Sequence, residues 1–145
     1  MSFKIRKMQK DDKNAVIEMM RTFYSSPAVF TNGSEEIFLA DFENCVNENP
    51  YLDGFVIESS DGIVGYAMIA KSFSTEFGKP CMWIEDIYIK DTFRGLGLGN
   101  MLMSFITENY KDCIFRLEVE KENEIATKLY KNQGFTVLPY VEMKK

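Results

Sequence analysis

The sequence predicts an α+β fold: a mixed, mostly antiparallel central sheet with helices on both faces. Three observations predict it. Two stretches of helical period open the chain. A block rich in Val, Ile, Phe and Tyr follows between 54 and 89, broken by turn signals. The order then becomes helix, strand, helix. At 145 residues, one domain over 1–145 is the simplest organisation, and it is long enough for a real core. Apolar residues make up 46% of the chain, which argues against disorder.

Phe3 to Lys7 alternates apolar and charged residues, as a half-buried strand does. Asp11 or Asp12 can cap a helix in which Val16, Met19, Met20 and Phe23 share one face, ended by Ser25-Ser26-Pro27. Asn32-Gly33-Ser34 marks a turn, and Ser34 precedes an acidic first turn at Glu35 and Glu36, the start of a second helix. Gly54 to Glu58 and Ile63 to Ser72 read as strands joined by a hairpin turn at Ser60-Asp61-Gly62. Phe77-Gly78-Lys79-Pro80 turns into a further strand at 82–89, completing an antiparallel meander. A helix over 100–110, a strand from Ile114 to Val119 and a helix from Asn123 or Ile125 to Gln133 come next, with Gly134 as the residue after its end. Phe135 to Met143 continues as extended chain around Pro139.

Composition narrows the function. The chain carries 22 acidic and 17 basic residues, a formal charge of −5. Nucleic acid is not expected as a partner, since phosphate backbones demand clustered Lys and Arg. A cationic or neutral substrate suits the balance better. There is no His, so serine-hydrolase triads and His-based metal sites are excluded. Cys45, Cys81 and Cys113 are scattered without CxxC spacing, so neither a disulfide framework nor a zinc site is supported and no metal is expected. No apolar run approaches the ~20 residues needed to span a bilayer. The opening residues lack the apolar centre of a signal peptide. A cytoplasmic protein with no membrane partner is the expectation.

The most informative run is Arg94-Gly95-Leu96-Gly97-Leu98-Gly99, set between a strand-like segment and a helix-like one that begins at Asn100. Glycines let the backbone approach an anion, and the first turn of a helix offers unpaired N–H groups at its positive end. Arg94 adds a permanent charge suited to phosphate. A Rossmann fingerprint needs G-x-G-x-x-G in an opening βαβ unit, and here the third glycine comes one residue early and late in the chain. A P-loop needs G-x-x-x-x-G-K-[ST], and no such Lys is present.

The pattern Arg94-x-x-Gly97-x-Gly99 instead resembles the pyrophosphate loop of the GCN5-related N-acetyltransferase (GNAT) family. The resemblance covers most of the chain. Val64-Gly65-Tyr66-Ala67 resembles the family's third strand and Glu85-Asp86-Ile87-Tyr88-Ile89 its fourth. Asn123, Ala126, Leu129, Tyr130 and Gly134-Phe135 resemble its C-terminal signature. The resemblance implies a sheet whose fourth and fifth strands splay apart, with acetyl coenzyme A in the gap. Its pantetheine arm would run beside the backbone of Ile87, Tyr88 and Ile89. Its pyrophosphate would rest on the N–H groups of Gly95, Leu96, Gly97, Leu98, Gly99 and Asn100, beside Arg94. Asn123, with Ala126, would contact the cosubstrate near its pantetheine, and Tyr130 would stand close to the thioester sulfur.

An acceptor amine of Lys type has a pKa of ~10.4, so its nucleophilic form is scarce at pH 7. Glu85, in apolar company at 82–84, is the candidate base that removes the proton, directly or through water. Asp86 on the opposite face competes for that role. Tyr130 is the candidate general acid for the leaving thiolate, with helix-face packing as the plainer reading of its place. A backbone N–H near Ile87 would polarise the thioester carbonyl. The family places acceptor contacts on the first two helices and their connection, so Tyr24 and Ser25 join Glu85 as candidate substrate contacts. Aromatic and acidic residues there either hold a cationic amine or serve as core and helix-dipole partners.

The expected activity is therefore acetyl transfer from acetyl coenzyme A to a primary amine of a small molecule, by direct transfer in a ternary complex. The segment Trp83-Ile84-Glu85-Asp86 and the glycine loop also resemble the diamine acetyltransferase branch. Acetylation of a protein N-terminus or lysine, and non-catalytic binding of acyl coenzyme A, are the alternatives. A homodimer is compatible with the family, although the short tail after Gly134 leaves little room for the two long closing strands of a strand-swapped one.

Overall fold

A computed structural model describes residues Met1–Lys145. The elements run β1 (Lys4–Lys7), α1 (Lys13–Tyr24), α2 (Glu35–Val46), β2 (Leu52–Ser59), β3 (Gly62–Ser74), β4 (Lys79–Ile89), α3 (Leu98–Asn109), β5 (Ile114–Leu117) and α4 (Glu124–Asn132). Single 3-10 turns precede α1 at Lys10–Asp12 and follow β4 at Asp91–Phe93. The sheet order is β1-β2-β3-β4-β5. The first four strands pair antiparallel, whereas β5 joins β4 parallel because α3 carries the chain back across the sheet.

Both faces of the sheet are covered, and this explains the nearly unbroken apolar runs in β2 and β3. On one face Val16, Ile17, Met19 and Met20 of α1 and Phe38 and Phe42 of α2 pack on Val56, Tyr66, Met68 and Tyr88. On the other, Leu98, Leu102, Met103 and Ile106 of α3 and Tyr130 of α4 pack on Phe55, Ile57, Ala67, Ile69, Met82 and Ile84. Side chains alternate across a strand, so neighbours such as Phe55 and Val56 serve opposite cores. Two helix starts follow their sequence signals: Ser34 Oγ accepts from the Ile37 N–H at 3.2 Å, and Asn123 Oδ1 from the Ala126 N–H at 3.2 Å. The other two differ: Asp12 precedes α1 without capping it, because its carboxylate turns to Arg6 and the Gln9 N–H, and α3 starts at Leu98 rather than at 100 because Gly97 serves as its N-cap. The strand expected over 114–119 pairs only as far as Leu117, and no strand forms after α4.

The start of α1 is tied to the sheet by a partly buried ion pair. Arg6 of β1 donates to both oxygens of Asp12, at 2.8 and 2.9 Å, and Asp12 also accepts from the Gln9 N–H at 2.8 Å. The Arg6 guanidinium holds the Asp12 carboxyl below the ordinary range against the opposing effect of burial. A depressed folded pKa contributes stability above the unfolded pKa, and this is lost as pH falls through the folded value. Asp12→Ala should therefore lower stability by about 2 kcal/mol at pH 7, from the loss of charge-assisted hydrogen bonds. The difference from the wild type should shrink below about pH 4, which denaturant titration at both pH values measures.

Candidate active site

The fork between β4 and β5 creates the site. Their register runs Cys81↔Ile114 to Ile84↔Leu117 and stops, while β4 continues to Ile89. Glu85 is the first β4 residue past the last pair. It is also the extra residue of a bulge, since Met68 of β3 opposes Asp86 while Ile69 opposes Ile84. A bulge bends the strand and increases its twist, and here it coincides with the parting of the strands. On the β5 side the residue after the last pair is Glu118, so the two carboxylates flank the mouth of the fork. The gap opens into a cleft of about 770 Å³ lined by both carboxylates, Ile87, Tyr88, Arg94 and Tyr130 among others.

The backbone of β4 faces this gap in a defined way. The Lys90 N–H donates to the Val64 carbonyl of β3, whereas Arg94 Nε reaches the Ile89 carbonyl at 3.0 Å. Polar groups alternate sides along a strand, so Ile87 and Ile89 present theirs to the gap. At its far end lies the glycine run. Gly95 and Gly97 both adopt φ +80°, a left-handed conformation that suits glycine, and Gly97 is the N-cap of α3. The N–H groups from Gly95 to Asn100 have no protein acceptor, so a continuous row of donors meets the N-terminal end of α3. Gly99 has a different function: a Cβ there would come within 3.1 Å of Leu129 Cδ2, so its absence lets α3 and α4 approach.

Electrostatics separate the two adjacent acids. Asp86 is buried and accepts from Tyr24 Oη at 2.7 Å and Tyr66 Oη at 2.8 Å. Burial pushes its pKa up to about 6, against the pull of the two hydroxyl donors. Glu85 reaches the cleft, and surrounding protein, then Asp86 and Glu142, raise its pKa. Glu118 is raised to about 7, first by the Glu142 carboxyl beside it and then by burial. Burial lifts the Tyr130 phenol to about 12, which keeps it protonated.

The structure thus brings Glu85, Ile87, Tyr88, Ile89, Arg94, Gly95, Gly97, Leu98, Gly99, Asn100, Asn123, Ala126 and Tyr130 to one cleft. Leu96 contributes its N–H to the loop, while its side chain is exposed and outside the lining. Arg94 pairs with Asp91 at 2.7 Å and lies over the Tyr88 ring at 5.5 Å. Tyr24 and Ser25 are not among the lining residues. The Tyr24 hydroxyl is spent on Asp86, and Ser25 Oγ donates to the Thr22 carbonyl at 3.1 Å. Phe23, Ser26, Pro27 and Ala28 line the cleft in their place. Glu118 was not singled out from sequence. Its place just beyond a short strand is the local signal, but only the parallel register sets it opposite Glu85.

The GNAT family model, described as "Acetyltransferase (GNAT) family", matches residues 14–135. This chain belongs to the GNAT family of acetyltransferases. The GNAT relative from Sus scrofa called thialysine N-epsilon-acetyltransferase is 31% identical over 143 residues, covering 90% of this chain and 82% of that protein. Two solved structures share the GNAT fold. A possible acetyltransferase from Clostridium difficile 630 superposes with a TM-score of 0.83 at 18% identity, covering 99% of this chain and 96% of that one. A structure from Clostridium acetobutylicum described as a predicted acetyltransferase with acetyl-CoA gives 0.81 at 19% identity, covering 99% and 96%. The residues of this GNAT chain fit that cosubstrate: the row of unpaired amides suits a diphosphate, and the open edge of β4 suits an amide-bearing arm.

Proposed function

We propose that this protein transfers the acetyl group of acetyl coenzyme A to a primary amine of a small cationic molecule, directly within a ternary complex. The carrying observation is the β4–β5 fork, which has an anion cradle at one end and the Glu85 carboxylate at its mouth. The N–H groups of Gly95 to Asn100 would hold the diphosphate, Ile87 and Ile89 the arm, and Asn123 and Ala126 its flank. When bound, the cosubstrate supplies an activated acyl group.

The remaining chemistry falls to this chain. Glu85 takes the ammonium proton, and its raised pKa makes it a stronger base while it stays open to the cleft. The Ile87 N–H, facing the gap, is placed to donate to a carbonyl oxygen. Tyr130 donates to the departing sulfur. Full proton transfer from a phenol at about 12 to a thiolate of pKa ~8.5 is uphill, so its contribution is a hydrogen bond to developing charge. As the C–N bond forms and the C–S bond breaks, the second proton shed by the nitrogen would pass through solvent to the departing thiolate, which leaves as the thiol. Phe23 and the carboxylates Glu85 and Glu118 favour a cationic acceptor by ring-face and charge contacts. The thialysine acetyltransferases act on an amine of that character by their name.

Residues 1–145 form one domain on this reading, which one sheet with a core on each face supports. A reducing cytoplasmic location is supported by its three unpaired cysteines.

Calorimetry with acetyl coenzyme A should give saturable one-to-one binding; absence of heat at millimolar ligand overturns the reading. Thiol release across polyamines, amino acids and aminoglycosides should find turnover on a cationic amine. Acetylation confined to proteins would redirect the assignment. Gly97→Val should weaken binding about tenfold, because a left-handed φ costs a side-chain-bearing residue about 1–2 kcal/mol. Wild-type affinity in this variant would show that the loop conformation is not the cradle.

A further inference from the structure

One wall of the cleft is the end of α1 and the irregular chain after it. Phe23, Ser26, Pro27 and Ala28 line the cleft, yet residues 25–34 belong to no helix or strand. The hydrogen bonds of this segment are local. Thr22 Oγ1 donates to the Glu18 carbonyl, Ser25 Oγ to Thr22 and Ser26 Oγ to Phe23, and the Ser25 and Ser26 N–H groups return to Arg21 and Phe23. Tyr24 is the exception. Its hydroxyl crosses to the sheet and donates to Asp86 Oδ1 at 2.7 Å, and it is the one residue between 22 and 34 that hydrogen-bonds there.

Asp86 is well suited to hold such a tie. It lies on β4 immediately after the Glu85 bulge and is buried, and its second oxygen accepts from Tyr66 Oη of β3 at 2.8 Å. Two hydroxyl donors satisfy a carboxylate that no cation neutralises, and a satisfied buried network fixes one geometry. The Tyr24 ring is packed independently of its hydroxyl, 5.1 Å from Phe23 and 5.4 Å from Phe38 between centroids. The ring therefore supplies packing and the hydroxyl supplies position.

We propose that Tyr24 and Asp86, with Tyr66 bracing the second carboxylate oxygen, form a positioning unit that sets the 23–28 wall of the cleft at a fixed distance from Glu85 and so determines acceptor affinity. No hydrogen bond joins the unit to the amides at 95–100 or to Tyr130. It rests on the amine-acetyltransferase reading for its kinetic consequence but not for its structural one.

Tyr24→Phe removes only the hydroxyl. In steady-state assays with the best amine found, KM for the amine should rise about tenfold with kcat changed less than twofold and calorimetric affinity for acetyl coenzyme A preserved. Hydrogen exchange should show the Ser25 and Ser26 amides exchanging at least tenfold faster, with α3 unaffected. A lower melting temperature with unchanged amine KM and unchanged exchange at 25–26 overturns the proposal and leaves Tyr24 a packing residue. If the wild type turns over no amine, the functional reading fails by itself, and the exchange measurement still decides whether the tie holds the wall. Tyr66→Phe, which keeps the Tyr24 bond, should raise amine KM less than Tyr24→Phe does; the reverse order also overturns the assignment.

Discussion

Glu85→Gln should lower turnover about a hundredfold or more at pH 7, within the range of lost general-base catalysis. The substitution keeps the shape of the side chain and the bulge while removing the group that accepts the proton. An amine of pKa ~10.4 is then deprotonated only by solvent, a gap of about 3.4 units, or roughly 4.6 kcal/mol, at neutral pH. The sign of the pH dependence follows. In the wild type the rate should rise with pH as Glu85 ionises, along a limb displaced above the ordinary carboxylate range because the surrounding protein and the charges of Asp86 and Glu142 raise its pKa. In the variant that limb disappears, and the rate should climb only as free amine accumulates, about tenfold per unit. The deficit should therefore narrow between pH 7 and pH 9. Steady-state rates over pH 5.5 to 9.5 measure this. A wild-type profile and rate in Glu85→Gln would remove Glu85 from the chemistry and direct attention to Glu118, the carboxylate across the fork.

Tyr130→Phe should lower kcat by about two orders of magnitude, comparable to removal of one preorganised donor to developing charge. Affinity for acetyl coenzyme A should change little, because the ring keeps its place in the core, 6.1 Å from that of Phe135. The phenol is protonated at every working pH, so this loss should be nearly independent of pH below 9. That flat deficit distinguishes it from the pH-dependent deficit of Glu85→Gln. Unchanged kcat would return Tyr130 to a packing role, which its burial on the α4 face is sufficient to explain without chemistry.

Much of this was readable from residue order. The helix starts at Ser34 and Asn123, the turn at Ser60-Asp61-Gly62 and the glycine loop are local signals, each satisfied within a few residues of chain. The family could be read for the same reason: its loop and C-terminal signature are short, ordered strings. The cleft wall at the end of α1 was less accessible. The sequence directed attention to Tyr24 and Ser25, but a side chain's direction at a helix end depends on what the helix packs against. Packing on Phe38 and the pull of Asp86 turn the Tyr24 hydroxyl inward and leave Phe23, Ser26, Pro27 and Ala28 at the cleft.

The two acids at 85 and 86 show the division best. Their presence and adjacency are properties of the sequence, as is the apolar company that places them on a strand. Which one meets solvent, which one is buried between two tyrosines, and that Glu118 stands opposite are decided by pairing. The strand register inserts Glu85 as a bulge against β3 and ends the ladder with β5 one residue earlier. Local sequence determined the elements and the glycine loop because those depend on contacts a few residues apart. The tertiary structure decided the surroundings of each acid and the shape of the cleft, because burial and register are set by segments far apart in the chain.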